Sequence, residues 1–458
     1  MTLKVGLEIH GYIAEDTKLF CDCAISEEAH PNTNICPVCT GQPGSKPMLT
    51  NSKALEKAIL IGLMLGCKIN SKLLFQRKHY SWPDSPNNYQ RTMSGSYASP
   101  VGEHGTFEGI RINEVHLEED PAKWDPLTGR VDYNRAGTPL IEIVTEPDFT
   151  SAEQVREWLG KLITTLSYIK AINKTAGIKC DVNVSIAPKF ERVEIKNVNS
   201  ISGIVDSILF EQKRQETEVA AGRPIPMQTR TWEDESKQTI FMRSKESAQD
   251  YMFIPDPDIP YIDVSLEYIS KLTLSIPEAP SVKEAKLLKA GLSEEMAKRI
   301  ATSYCLIDAF ETSAKLGISS ASAGQFLSRD VIGVLAQKEV DLDLFNIDQN
   351  DQLFELLKLI DAKAITVQTA QKILRQYPFE KSFDVAAYVK SQGLAAVADI
   401  GALEALCKKA IDANPKAVTD YKAGNENSFN FLIGQVMRET KGAAKPDILR
   451  PILKKLLD

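Results

Sequence analysis

Three groups of residues in this chain have types and spacings suited to chemistry, and the first is a set of acids with one histidine. Glu8 and His10 alternate along one strand, so both heads reach toward one point. His116-Leu117-Glu118-Glu119-Asp120 supplies three consecutive acids, and Glu142 and Glu146 share a strand face behind Gly137-Thr138-Pro139. Clustered carboxylates repel one another unless a cation or a proton intervenes. Oxygen ligands favour magnesium or manganese, and a histidine among them tilts the choice toward manganese or a mixed site. Spacing alone fits scattered, solvated acids at least as well.

The second group is Cys21-x-Cys23, twelve intervening residues, and Cys36-x-x-Cys39. Four thiolates suit tetrahedral zinc, and Pro37 fits a tight turn between two ligands. Unpaired buried cysteines are the bland alternative. With four protein ligands the zinc site is closed, so its expected role is structural, pinning the long loop after the first strand. The other cysteines, Cys67, Cys180, Cys305 and Cys407, stand singly. A disulfide scaffold would spread pairs through a short secreted chain, so a reduced, cytoplasmic protein is expected.

The third group packs cations, aromatics and a turn into Arg77-Lys78-His79-Tyr80-Ser81-Trp82-Pro83-Asp84. Such a segment could bind a nucleotide or line a polar passage, and an aromatic loop packed on a sheet explains it equally. No Gly-x-x-x-x-Gly-Lys-Ser/Thr loop and no Gly-x-Gly-x-x-Gly occurs, so metals and side chains must hold any bound phosphates. No Cys-His-Glu or Ser-Lys arrangement stands out as a nucleophile.

The elements that must position these groups are legible as patterns. Leu3, Val5, Leu7 and Ile9 alternate with Lys4, Gly6, Glu8 and His10, and Ile141 and Ile143 lie opposite Glu142. Val182, Val184 and Ile186 alternate with Asp181, Asn183 and Ser185, and Val193 and Ile195 with Arg192, Glu194 and Lys196. These two runs read as an antiparallel hairpin with one polar face. Thr150 to Glu153 reads as a capping box that opens a helix through Val155, Leu159, Leu162, Ile163 and Leu166. Turn-rich stretches at 254–260 and 276–280 precede a helical second half, whose first stretches break at Gly291-Leu292-Ser293. The expected fold is therefore α+β: a mixed or antiparallel sheet domain over 1–280, a helical domain over 281–385 and a small helical tail over 386–458.

Composition limits the remaining classes. The 458 residues are 43% hydrophobic and 25% charged, as in an ordinary globular protein, which excludes disorder, collagen and coiled coil. The net charge of -7 argues against indiscriminate nucleic-acid binding. A local RNA surface stays open, since Tyr421 to Asp458 carries seven Lys/Arg against four Asp/Glu. The most apolar run, Ala58 to Cys67, is flanked by lysines and far short of the roughly 20 residues of a membrane span.

Taken together the segments resemble one family. Val5-Gly6-Leu7-Glu8-Ile9-His10, the Lys78/Tyr80/Pro83-Asp84 segment, His116 to Asp120, and Asn134-Arg135-Ala136-Gly137-Thr138-Pro139 running on to Pro147 all match it in order. So do Cys180 to Asn183, Glu194 to Ser200, and Gly434-Gln435-Val436-Met437 with Lys441-Gly442. The sequence resembles the B subunits of the aspartyl/glutamyl-tRNA amidotransferases. A sister family of glutamyl-specific archaeal subunits carries an insertion before the helical domain, for which Ile254 to Pro280 leaves no room. One departure is Asn430 ahead of Phe431, where the family usually has Gly.

The resemblance implies a cradle domain, a helical domain and a tail that engages tRNA. It implies ATP-dependent phosphorylation of the side-chain carboxylate of Asp or Glu mis-esterified to tRNA, followed by displacement of phosphate by ammonia. The ammonia would come from an amidase (A) subunit that hydrolyses glutamine, with a small C subunit wrapping the pair. By motif position, His10, Glu119 and Glu142, with Glu8 and then Glu118, resemble ligands of a catalytic Mg2+ or Mn2+. Lys78 lines up with a lysine at the inner end of an ammonia passage, where it can pair with Glu119. Tyr80, Asp181, Asn183, Glu194, Lys196, Asn197 and Asn199 fall at substrate or nucleotide pocket positions. Cys21, Cys23, Cys36 and Cys39 match the zinc-bearing branch. A non-catalytic, zinc-stabilised RNA-binding or assembly protein on the same scaffold is the alternative.

Overall fold

The structure, a computed structural model, describes residues 2–26, 28–173, 177–244, 251–338, 351–376, 383–395, 400–440 and 442–457. The chain forms two compact units, Met1–Pro277 and Glu278–Asp458.

Twelve strands of the first unit join in one sheet. They are β1 (Leu3–Tyr12), β2 (Lys68–Ile69), β3 (Gln76–His79), β4 (Tyr89–Thr92), β5 (Gly102–Phe107), β6 (Ile110–Glu119), β7 (Pro139–Thr145), β8 (Ile178–Ile186), β9 (Val193–Val198), β10 (Gln228–Glu233), β11 (Gln238–Ser244) and β12 (Met252–Pro255). Their order is β11-β10-β9-β8-β1-β7-β6-β4-β3-β12, with β5 beside β6 and β2 beside β5. The β9–β10 pair is parallel, so the sheet is mixed; β8 and β9 form the antiparallel pair read from their alternation.

Alternation fixes which face each side chain takes. Val5, Leu7 and Ile9 of β1, Val115 and Leu117 of β6, Ile141 and Ile143 of β7, and Val182 and Val184 of β8 are all buried in one core. Among the helices that supply apolar residues to that core are α1 (Ser52–Met64), α2 (Ala152–Tyr168) and α3 (Ile201–Ala220). Each starts at a side-chain cap that accepts an otherwise unsatisfied backbone N–H: Asn51, Ser151 and Ser200. The α2 cap is one residue later than the sequence suggested. Ser151 Oγ accepts from Gln154 N, and Gln154 Oε1 accepts from Thr150 N, so Gln154 rather than Glu153 closes the box. Burial of each large aliphatic side chain stabilises this arrangement by about 1.5–3 kcal/mol, and a one-residue slip of a strand would reverse its faces. The core therefore holds Glu8, His10 and Glu142 on the opposite, polar face.

In the second unit, Pro280–Lys289, Glu294–Ile300 and Tyr304–Lys315 are helices, with the break at Gly291-Leu292-Ser293 where the sequence placed it. Helices Ile400–Ala413, Glu426–Glu439 and Pro446–Leu457 share a core of Leu403, Cys407, Leu432, Val436, Leu449 and Leu453. The 385/386 division drawn from sequence falls inside the helix Val385–Ser391, where the Tyr388 N–H donates to Asp384 O across it. Lys441 lies outside the described residues. Among the described residues no helix is long and apolar enough to cross a membrane.

Candidate functional site

The polar face of the sheet carries one row of functional side chains across five strands. In register, Glu8 stands opposite Asp181 on β8, His10 opposite Glu142 on β7, and Glu142 opposite His116 on β6. Asn183 continues the row to Glu194 on β9. Partners in an antiparallel pair point the same way, so chain segments more than a hundred residues apart converge here.

At the centre, His10 Nε2 lies 3.7 Å from Glu118 Oε1 and 3.9 Å from Glu142 Oε2. Those separations are too long for hydrogen bonds, yet the three ligand atoms lie within 4.8 Å of one another. Such a cage suits an ion between the groups. Burial pushes the carboxyls of Glu118 and Glu142 above their ordinary range. For Glu118 the neighbouring Glu142 adds to the rise, whereas the charges of His10 and Lys78 oppose it. Burial disfavours charge on His10, but Glu142, Glu118, Asp181 and Glu8 outweigh it and raise its pKa. A site that binds protons this readily also has unmet demand for positive charge, which a divalent cation fits.

Glu8 leads into a second cluster with Asp181 and Glu194, again within 4.8 Å. Lys196 Nζ is 2.5 Å from Asp181 Oδ2 and 3.6 Å from Glu194 Oε1. Burial opposes the Lys196 charge, but Asp181 and Glu194 raise its pKa further, keeping it an ammonium. Thr229 Oγ1 donates to Glu194 Oε2 at 3.0 Å and Asn183 Nδ2 donates to Glu8 Oε1 at 3.0 Å. Among the described residues the buried Asn183 Oδ1 has no hydrogen-bond partner, which leaves an acceptor open on this face.

Two expected placements need correction. Glu119 does not join His10 and Glu142, because alternation along β6 sends Glu118 to the polar face and Glu119 to the face of Val115 and Leu117. There Glu119 Oε1 accepts from Arg91 N at 3.0 Å and lies 3.4 Å from Arg91 Nη1. Arg91 Nε in turn reaches Asp256 Oδ2 at 2.9 Å, and Arg77 Nε reaches the same oxygen at 3.1 Å. Lys78 likewise exerts its charge on Glu118 and Glu142 rather than pairing with Glu119, and its Nζ sits 4.8 Å over the Tyr251 ring.

Other expected pocket residues go elsewhere. Asn197 is exposed with a left-handed backbone, φ 64°, and donates from Nδ2 to Thr231 Oγ1 at 3.1 Å. Asn199 lines a cavity of about 220 Å³ on the helix side of the sheet with Leu159, Ile163 and Ile204. Tyr80 lines a small pocket of about 20 Å³ with Tyr89, Gln90, Glu119 and Asp120, and burial raises its pKa. Glu146 lies beyond the register shift at Val144/Thr145 and donates its N–H to Arg111 O, so it does not share the Glu142 site. Sequence reasoning assigned no role to His116, wholly buried with neither ring nitrogen hydrogen-bonded and Glu114 Oε2 3.4 Å from Nε2. The alternation of Val115 and Leu117 was the signal that places His116 and Glu118 together on the polar face.

The four cysteines expected to hold zinc come together. Their sulfurs all lie within 4.8 Å, with Cys36 Sγ and Cys39 Sγ 3.9 Å apart. Tetrahedral ligands at a Zn–S distance of roughly 2.3 Å stand about 3.8 Å from one another, so the set fits the ion. All eight cysteines are free thiols in the structure. The neighbouring Cys21 thiol holds Cys39 below the ordinary thiol value, whereas burial pushes Cys23 above it.

The fold and site define an α+β catalytic domain followed by a helical region. Residues 3–270 match the family model described as GatB/GatE catalytic domain, and residues 308–457 match the one described as GatB domain. The chain is 41% identical over its whole length to 99% of the aspartyl/glutamyl-tRNA(Asn/Gln) amidotransferase B chain of Methanococcus aeolicus. It is 42% identical over 97% of its length to 98% of the protein of that name from Methanothermobacter thermautotrophicus. The corresponding Methanopyrus kandleri protein is 39% identical, with 100% and 99% of the two chains covered. This chain belongs to the family of aspartyl/glutamyl-tRNA amidotransferase B subunits, ligase-type enzymes.

Proposed function

We propose that this protein phosphorylates the side-chain carboxylate of Asp or Glu carried on a mismatched tRNA, using ATP, and then converts the acyl phosphate to the amide. The observation that carries this reading is the single polar face on which Glu118, Glu142, His10, Glu8, Asp181 and Glu194 converge between two lysines, Lys78 and Lys196. A substrate carboxylate and a triphosphate are both anions, and bringing them together requires charge compensation that this face provides.

In the first step a substrate carboxylate oxygen bonds to the terminal phosphorus of ATP and the bond to ADP breaks. In the second, ammonia nitrogen adds to the acyl carbon, the C–O bond to phosphate breaks, and the proton shed by nitrogen leaves with the phosphate. Mg2+ or Mn2+ held by His10, Glu118 and Glu142, with Glu8 alongside, would neutralise charge on the transferring phosphoryl group. Lys78 presents a positive charge toward Glu118 and Glu142, where it can orient an anionic substrate. Lys196, fixed by Asp181, and the free acceptor Asn183 Oδ1 define the flanking subsite. The pocket of Tyr80, Gln90 and Glu119 supports an approach for ammonia from the far side of β6.

In line with the family resemblance, we assign ammonia supply to an amidase partner (A), with a small C subunit completing the assembly; no Cys-His-Glu or Ser-Lys arrangement stands out in the sequence. The basic stretch Tyr421 to Asp458 supports a contact with tRNA. Zn2+ on Cys21, Cys23, Cys36 and Cys39 would be structural. The deciding experiment is amidation of Asp-tRNA(Asn) and Glu-tRNA(Gln) by the reconstituted complex, with His10→Ala as control. Loss of ATP-dependent amidation with retained glutamine hydrolysis is expected, and undiminished amidation in that variant would refute the reading.

A further inference from the structure

Two helices of the second unit enclose a polar groove. One runs through the π turn Phe326–Val331 into Ile332–Gln337, and the other is Val367–Gln376. Between them lies a cavity of about 310 Å³ whose lining includes Arg329, Asp330, Gly333, Gln337, Gln371 and Arg375. Gly333 and Gln337 are four residues apart, as are Gln371 and Arg375, so each pair shares one side of its helix. Gln371 Nε2 donates to Asp330 Oδ1 at 2.8 Å and ties the two walls together. A Cβ built at Gly333 would meet nothing within 4 Å, so the floor between the walls is open. The π turn, a rare geometry that recurs at functional sites, carries Arg329 and Asp330.

The two arginines are not answered by acids of the chain. Arg329 Nε stands 3.9 Å from Asp330 Oδ1, beyond hydrogen-bond range, on an oxygen that Gln371 already engages. Arg375 makes no ion pair or hydrogen bond among the described residues. A solvated helix face commonly matches a cation with an acid three or four residues away, as Glu294 matches Lys298 and Glu295 matches Arg299. No residue three or four positions from Arg329 or Arg375 is acidic. Guanidinium forks fit phosphate oxygens, and the Gln337 amide adds a neutral donor. Asp330 Oδ2, with no hydrogen-bond partner among the described residues, accepts from a hydroxyl. An anion beside a hydroxyl is the chemistry of a phosphate linked to ribose.

We propose that this groove holds a ribose–phosphate segment of an RNA backbone, with Arg329 and Arg375 on the phosphate and Asp330 facing the ribose. The inference rests on the tRNA reading given above and adds to it a contact outside Tyr421 to Asp458. Phosphate contacts position a nucleic acid without reading its sequence, so the groove sets the orientation of the bound RNA rather than the choice among tRNAs.

The test measures binding of a tRNA(Asn) transcript to the full chain over a range of salt concentrations. Arg329→Ala combined with Arg375→Ala should weaken binding at least about tenfold near 0.1 M salt and reduce the slope of log affinity against log salt by about 1–2. Gly333→Leu fills the floor and keeps both charges. It should weaken binding at least about threefold with the slope nearly unchanged, an outcome that scattered surface charge does not produce. All three positions are exposed, so each variant should melt near wild type, and Gly333→Leu removes a helix-weakening glycine. Wild-type affinity in either the arginine variant or Gly333→Leu overturns the groove and leaves the tRNA reading intact. A wild-type chain that binds no tRNA overturns both.

Discussion

Glu118 and Glu119 are neighbours in sequence but belong to opposite faces of the sheet: Glu118 Oε1 faces His10 Nε2 at 3.7 Å, and Glu119 Oε1 accepts from Arg91 N at 3.0 Å. One carboxylate faces the cage around His10, the other a buried guanidinium. Replacing them should therefore give different phenotypes.

Glu118→Gln and Glu142→Gln each remove a charge from the cage around His10. If the site acts as proposed, both variants should lose at least about 100-fold in ATP-dependent amidation while the thermal transition stays near that of wild type, because the loss falls on transition-state charge. Glu119→Gln should instead lower the unfolding temperature, with activity falling only as folded protein is lost. Steady-state amidation alongside scanning calorimetry separates the two cases. Equal loss of turnover in all three, at equal stability, would contradict the assignment of faces.

Asp256 accepts from both Arg77 and Arg91 and its side chain is fully buried. Removing the charge in Asp256→Asn takes one carboxylate partner from each guanidinium, leaving Arg91 with Glu119 and Arg77 with Asp258, so the cost should fall below about 3–5 kcal/mol, that of a fully broken buried pair. The expected result is a clearly lower melting temperature for the first unit, readable by calorimetry. A melting temperature within a degree or so of wild type would show that the network contributes little.

The raised carboxyls carry a pH signature. Burial lifts Glu118 and Glu142 above their unfolded value of 4.5, so in metal-free protein the folded state binds their protons more tightly than the unfolded state does. Their contribution to stability is thus fully present below 4.5 and is lost as pH rises through the raised folded values. In chelator the difference in melting temperature between Glu142→Gln and wild type should grow in favour of the variant as pH rises, and added Mg2+ should reduce it. A difference that does not vary with pH would rule out the shift.

One equivalent of zinc should accompany the purified chain by elemental analysis, and Cys36→Ser should lose it. Metal-free wild type with an intact thermal transition would refute a structural zinc centre.

In the C-terminal region Lys454 and Lys455 occupy the last turn of Pro446–Leu457. A truncation from Tyr421 would remove Leu432, Val436, Leu449 and Leu453 from their shared core with Leu403 and Cys407, so charge reversal is the cleaner probe. The pair Lys454→Glu and Lys455→Glu should weaken tRNA binding and reduce the slope of log affinity against log salt by up to about 2. An unchanged slope would place the RNA contact elsewhere.

Much of this molecule is written in local pattern. The alternation of Leu3 to His10 dictates a strand with one apolar face, because a buried core selects every second side chain. The spacing of the paired cysteines anticipated that their four sulfurs would meet, and ordered segments such as Gly137 to Glu142 carry the family across the full chain. Other features were settled only when distant segments met. The His10–Glu142 pairing depends on the β1–β7 register, and the Arg91–Glu119 contact on β4 lying beside β6. A left-handed backbone at Asn197 and the register shift between Cys180 and Val182 sent Asn197 and Asn199 away from the row that holds Asp181 and Asn183. Local sequence sets which residues share a face; long-range backbone pairing and its irregularities decide which faces combine into a site, and that is where the surroundings of Glu118 and Glu119 were fixed.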